Sequence, residues 1–138
     1  MTARLLLDTC AIIWITTREP LGSAAREAMA SAFAADERVG VSPISAWELG
    51  LLGSKDRLAT TRSATSMFGE MLATPGIKIE PLSHDILIES SFLPGTLHRD
   101  PADRILVATA RMLNLILVTR DRAILDYADQ GYVRVLAC

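Results

Sequence analysis

Four acidic residues in this 138-residue chain stand among apolar neighbours or directly behind apolar runs. The sharpest case lies in "HRDPADRILVATA", His98 to Ala110. Asp100 reads as a helix N-cap, Pro101 as the first helical residue and Asp103 as an acid in the first turn, all of which favour a helix start. At helical spacing, however, Asp103 shares a stripe with Leu106, Val107 and Ala110, the side expected to face a core, while Arg104, Ala108 and Arg111 take the other side. Glu48 in "SPISAWELGLL" repeats the pattern, with Ile44, Leu51 and Leu52 as its stripe mates. Asp8 directly follows the apolar run "RLLL", and Asp121 follows "LILVT" by one residue. Gathered in one pocket, the four carboxylates would repel one another and some would stay protonated unless a cation relieved them. Oxygen-only ligands suit Mg²⁺ or Mn²⁺. Cys10, Cys138, His84 and His98 show no ligand spacing, which argues against a four-ligand zinc site.

The elements that must bring these acids together follow from hydrophobic periodicity. Strands are expected at Arg4–Leu7, Val39–Ser42, Ile77–Glu80 and Leu115–Thr119, with a fifth in "YVRVL" near the end. Helical patterns cover Thr9–Thr17, Ser23–Ala35, Pro43 to about Lys55, Arg62–Ala73, His84–Phe92, Pro101–Leu113 and Asp121–Asp129. Ser23, Ser42, Ser83 and Asp100 are the expected caps for four of them. Alternation of helices with near-continuous aliphatic strands predicts an α/β fold, a central parallel sheet of four to five strands with helices on both faces. In such a sheet ligands bind beyond the carboxyl ends of the strands, where Asp8 and Asp121 fall. The helix from Pro101 runs back antiparallel to the strand it feeds, so Asp103 belongs to the same edge. "FLPGTLHRDP" is the longest clear loop and a candidate rim.

The bulk numbers bound the rest. The length suits one domain, residues 1–138. Half of the residues are hydrophobic but only 5% aromatic, so the core must be aliphatic, and the load also suits a subunit interface. Net charge is −2 with a pI near 5.6, which excludes a global positive field for nucleic acid and leaves only local contacts. Asp8 interrupts the N-terminal apolar run, no cleavage site follows, and no segment has the ~18 apolar residues of a membrane span. A reduced, cytoplasmic protein is expected.

Each acid also has an ordinary structural explanation. Asp8 and Asp121 are turn formers or caps, Glu48 could pair with an arginine, and the capping role of Asp100 suffices for it. Cys10 and Met67 read as packing residues. Trp14 and Trp47 could stack on bases, although Trp47 shares a stripe with Ile44 and Leu51 and reads rather as core or interface packing.

The four acidic segments together, "LLLDTCAIIW", "SAWELG", "HRDPADRILVATA" and "LVTRDRAI", resemble the motifs of the PIN domain, in particular the VapC-type toxins of bacterial toxin–antitoxin pairs. The resemblance spans nearly the whole chain in the expected order. It implies a metal-dependent endoribonuclease in which Asp8, Glu48, Asp103 and Asp121 form the acidic quartet. Thr9 would assist through hydrogen bonding, and Asp100 through a water-mediated contact. It further implies hydrolysis of RNA phosphodiesters by metal-activated water, a cognate antitoxin protein and a homodimer. His98, Arg99, Arg104, Arg120 and Arg122 flank the third and fourth acids and could hold the RNA backbone, or could be salt-bridge partners, such as Arg122 with Asp126. Two rival classes stay open: a non-enzymatic PIN-like metal-binding or interaction domain, and an aspartyl-type phosphatase. The phosphatase usually wants a second Asp two positions after the first, where this chain has Cys10.

Overall fold

The computed structural model describes residues 4–138. Among them the chain runs β1 (Leu5–Leu7), α1 (Thr9–Thr16), α2 (Ser23–Ala34), β2 (Val39–Val41), α3 (Pro43–Ser54), α4 (Ala64–Ala73) and β3 (Ile77–Ile79). It continues with α5 (His84–Glu89), α6 (Pro101–Leu113), β4 (Ile116–Thr119), α7 (Arg122–Ala128) and β5 (Arg134–Ala137). The strands form one sheet in the order β3-β2-β1-β4-β5, and every neighbouring pair is parallel. The α/β class and the parallel sheet are as the sequence implies. No helix of the described residues is long and apolar enough to cross a membrane.

The central strand explains the two-sided core. Side chains alternate across a strand, so Leu5 and Leu7 face one layer and Leu6 the other. The first layer joins them to Val41, Val118 and residues of α1–α4, including Ile12, Leu49, Met67 and Met71. The second joins Leu6 and Leu117 to Leu106, Val107 and Ala110 of α6 and to Ile124 and Tyr127 of α7. Leu6 is fully buried between strands on either side, and truncating it to alanine would cost about 3 kcal/mol.

Local chemistry moves several boundaries. Gly22, not Ser23, is the N-cap of α2, and no side chain bonds there. The helix expected from Arg62 begins at Ala64 because Ser63 caps it through the amide of Ser66, while Arg62 spends its guanidinium on Glu70, Ser66 and the carbonyl of Thr16. Helix α5 stops at Glu89, where Ser90 Oγ turns back to the carbonyl of Leu87. Strand β5 starts at Arg134 because Tyr132 packs its ring on Tyr127 and Val133 enters the core. Helix α6 ends on Asn114 in the left-handed region, φ 55°, which a short amide side chain tolerates.

Two expected helix faces need correction. Ala108 is buried rather than outward-facing, because α6 packs against α3 and α5 as well as against β4. On α3 the buried positions are Ser45 and Leu49, while Leu51 is exposed and Trp47 is 50% exposed, so Trp47 is not a core residue.

Candidate active site

Because the strands are parallel, their carboxyl ends share one edge, and β1, β2 and β4 each deliver an acid-bearing segment there. Strand β1 hands over to Asp8 and β4 to Arg120 and Asp121, while β2 leads through Ser42, whose hydroxyl caps α3 at Ile44, into the helix that carries Glu48. Helix α6 returns to the same edge, with the Asp100 carboxylate accepting the amide of Asp103 at 3.0 Å. Asp8, Glu48, Asp103 and Asp121 line a single cavity of about 380 Å³, with Asp100, Thr9, Cys10 and Arg120 also in its wall.

Asp8 is 3% exposed and holds three donors. The Thr9 amide reaches Oδ1 at 2.6 Å, and the Thr119 hydroxyl and Cys10 thiol reach Oδ2 at 2.5 and 3.4 Å. The expected cap at the start of α1 is therefore present, and the cap residue also faces the cavity. Asp121 likewise serves twice: Oδ2 caps α7 at the amide of Ile124, 3.0 Å away, and its own amide donates to Thr119 Oγ1 at 3.0 Å. Thr9 Oγ1 donates to Ser45 Oγ at 2.9 Å. Among the described residues no arginine pairs with Glu48, so the alternative of a core-edge ion pair is not what holds it.

One ligand oxygen each from Glu48, Asp100 and Asp103 lie within 4.8 Å of one another. A second trio joins Asp103 and Asp121 to His98, whose Nε2 is 3.1 Å from Asp103 Oδ2 and 3.6 Å from Asp121 Oδ2. His98 Nδ1 accepts the amide of Asp100 at 3.2 Å, so the proton of the neutral ring sits on Nε2, facing the two acids. His98 is thus part of the acidic cluster rather than plain solvated surface.

The crowding shifts proton affinities. Burial pushes Asp8 above the usual carboxylate range, with the donors from Thr119, Cys10 and Thr9 pulling back and the charge of Asp121 adding to the rise. Burial also raises Glu48, opposed by the Thr9 hydroxyl and reinforced by Asp8, Asp100 and Asp121. Asp103 moves furthest, to about 8, first through burial and then through the charges of Asp8, Asp100, Asp121 and Glu48. The site stores like charge that a cation or protons must neutralise.

The four flanking arginines separate. Arg104 donates to the carbonyls of Ser90, Leu97 and His98 and so fixes the 90–98 loop. Arg120 reaches the carbonyls of Cys138 and Pro20 and lies over the ring of Trp14, 3.5 Å from its centroid. Arg122 pairs with Asp126 one turn on, at 3.4 Å, with both side chains well exposed. Arg99 is exposed, and among the described residues its side chain has no ion pair or hydrogen bond. A neighbouring cavity of about 200 Å³ shares Glu48, Leu52 and Asp100 with the first and adds Trp47, Lys55 and Arg57, two cations the sequence pattern does not single out. Also missed are Thr119, which joins Asp8 to Asp121, Ser45 behind Thr9, and Cys10, which lines the cavity instead of merely packing. Hydroxyls at the "VT" end of a strand and one turn before Glu48 were the available signals.

Residues 5–130 match the PIN domain family. The ribonuclease VapC22 of Mycobacterium tuberculosis is 32% identical over 98% of this chain and 99% of its own length. Among solved structures, the VapBC2 complex of Rickettsia felis bound to a promoter DNA fragment aligns with a TM-score of 0.71 at 15% identity, covering 97% of this chain and 98% of that one. A toxin–antitoxin complex from Klebsiella pneumoniae aligns with a TM-score of 0.56 at 24% identity, covering 87% and 89%.

Proposed function

The chain belongs to the PIN domain family and is a homologue of the VapC ribonuclease toxins, and on that footing we propose that its acidic cavity is the centre of a metal-dependent endoribonuclease. In this proposal Asp8, Glu48, Asp103 and Asp121 are the metal-holding catalytic residues, and the whole chain forms one PIN unit. The observation that carries it is the convergence of four carboxylates from separate segments on one cavity, three of them with raised proton affinity. That donor set is almost wholly oxygen and fits Mg²⁺ or Mn²⁺. When bound, such an ion supplies an acidified water and neutralises charge on phosphoryl and leaving oxygens.

The protein's own part is positioning. Thr119 and the Thr9 amide hold both oxygens of Asp8, the Thr9 hydroxyl, itself donated to Ser45, lowers the proton affinity of Glu48, and Asp100 fixes the first turn that carries Asp103. His98, Arg99, Lys55 and Arg57 stand around the cavity as donors for RNA phosphates, joined by Arg122, whose exposed pair with Asp126 costs little to open. Arg104 and Arg120 act instead as struts for the loops around the site.

Partners follow the relatives. A cognate antitoxin protein is proposed because one structural match is a toxin–antitoxin complex, and a homodimer because Trp47, Ile88 and Phe92 leave large apolar side chains exposed. The proposed place of action is the cytoplasm.

The test is cleavage of total cellular RNA by purified protein free of antitoxin, with Mg²⁺ or Mn²⁺, with chelator, and with Asp8→Asn. Discrete fragments that need metal and vanish in the variant are expected. Identical fragments from both proteins would mean a contaminating nuclease and would withdraw the support.

A further inference from the structure

Trp47 stands one position before Glu48 on α3, so its Cα is only about 3.8 Å from that of an acid of the site. Its side chain is half exposed, and among the described residues no ring or cation covers it and no hydrogen bond engages its indole. Trp14 differs, because Arg120 already lies over its ring. Trp47 and Leu51 of α3 and Pro101 and Ala102 of α6 give the smaller cavity of about 200 Å³ its apolar lining, and Glu48, Leu52 and Asp100 belong to both cavities. Lys55 and Arg57 complete the wall. Both are exposed, and among the described residues neither side chain has an ion pair or a hydrogen bond.

An uncovered indole beside two unpartnered cations, continuous with the proposed catalytic cavity, has the chemistry of a nucleotide site: a π-face for the base and positive charge for the phosphate. The volume lies below the roughly 300–1,000 Å³ of pockets that take drug-sized ligands, so it suits one base rather than the helix of a protein partner. Ile88 and Phe92 line neither cavity, so the contact between copies proposed above falls to them.

We propose that Trp47 is a base-stacking subsite: a nucleobase next to the scissile phosphate lies on its indole, while Lys55 and Arg57 hold an adjoining phosphate. This rests on the reading of the acidic cavity as an RNA-cleaving centre. Trp47 would seat the strand over the acids and take no part in the chemistry. A base reaches the indole only where it is unpaired, and every base has a π-face, so the subsite selects for unpaired segments with little preference among bases.

The experiment titrates the full chain in chelator, where nothing is cut, with short single-stranded RNA of random sequence and with an abasic strand of the same length. Strand anisotropy and indole emission are the readouts. RNA should quench part of the emission and bind the more tightly, and the abasic strand should leave the emission unchanged. Trp47→Leu should abolish the quench, weaken RNA binding by roughly 5- to 150-fold, the range for one lost stacked base, and lose most of the discrimination between the two strands. Its salt dependence should stay that of the wild type, because no phosphate contact is removed. Trp47→Phe should recover part of the affinity. Equal binding of both strands by the wild type, binding of neither, or wild-type affinity in Trp47→Leu would overturn the subsite, as would a variant whose one change is a dimer lost in sedimentation. If Trp47→Leu folds poorly, the strand comparison in the wild type and in Trp47→Phe decides. Metal-dependent cleavage of total RNA is followed in the same preparations. Cleavage without base-dependent quenching sinks the subsite alone, and quenching without cleavage supports the subsite while withdrawing the nuclease reading.

Discussion

The Thr119 hydroxyl donates to Asp8 Oδ2 at 2.5 Å and accepts the Asp121 amide at 3.0 Å, so one side chain at the end of β4 orients an acid on each neighbouring segment. Thr119→Val keeps the shape and removes both bonds. Metal-dependent RNA cleavage should fall by roughly 10–100-fold, the usual effect of losing a group that orients a metal ligand. Thr119→Ser should restore most of it. Parallel rate and Mn²⁺-binding measurements on the two variants check this.

The metal-free protein should lose stability as pH rises. Asp103 has a folded-state pKa of about 8 against an ordinary 3.8, so folding favours its protonated form. That contribution is fully present below the ordinary value of 3.8 and disappears as pH climbs through about 8, with the raised values of Asp8 and Glu48 acting in the same direction. Thermal melts in chelator across this window should show a declining contribution from these acids, and saturating Mg²⁺ or Mn²⁺ should recover most of it at the alkaline end.

Asp103→Asn separates that electrostatic cost from catalysis. Asparagine resembles the protonated acid, so near pH 3, below the ordinary carboxylate value, the variant and the wild type should differ by no more than about 0.5 kcal/mol. At about pH 9 without metal, where the wild-type acid is ionised, the variant should be the more stable. Its cleavage of RNA should nevertheless drop by more than about 100-fold at every pH, beyond what loss of an orienting partner alone produces. Denaturant titration and initial rates provide the two readouts.

Arg99 and Arg104 are neighbours in the same motif but should fail differently. Arg99→Ala should weaken RNA binding and reduce the slope of log affinity against log salt by roughly 0.7, as expected for one lost phosphate contact on a single strand. Arg104→Ala should leave that slope unchanged and lower stability by about 2–3 kcal/mol, because its donors hold the carbonyls of Ser90 and Leu97. Salt-dependent binding and chemical denaturation distinguish them.

The strands and the convergence of the four acids were legible because both follow from short-range pattern: an aliphatic run, an acid directly after it, a helix-start signature. Less visible was anything requiring knowledge of which distant segments touch. Ala108 follows the period of an outward face, but α6 packs on α3 and α5 besides the sheet, which no single-helix pattern encodes. Trp47 has core-like stripe mates, yet α3 turns that stripe out beside the cavity. Arg104 and Arg120 have the right charge and spacing for a phosphate rim, and only tertiary structure shows their donors committed to backbone carbonyls.

The sheet order has a consequence for how the protein is made. Strand β1 is among the first segments synthesised, but one of its two neighbours is β4, and the acids at Asp103 and Asp121 arrive only with the last third of the chain. A nascent polypeptide extending only through β3 has Asp8 and Glu48 without their counterparts. The catalytic centre proposed here therefore cannot assemble while most of the chain is still being translated, and no copy holds all four acids until the segment just after β4 has been made.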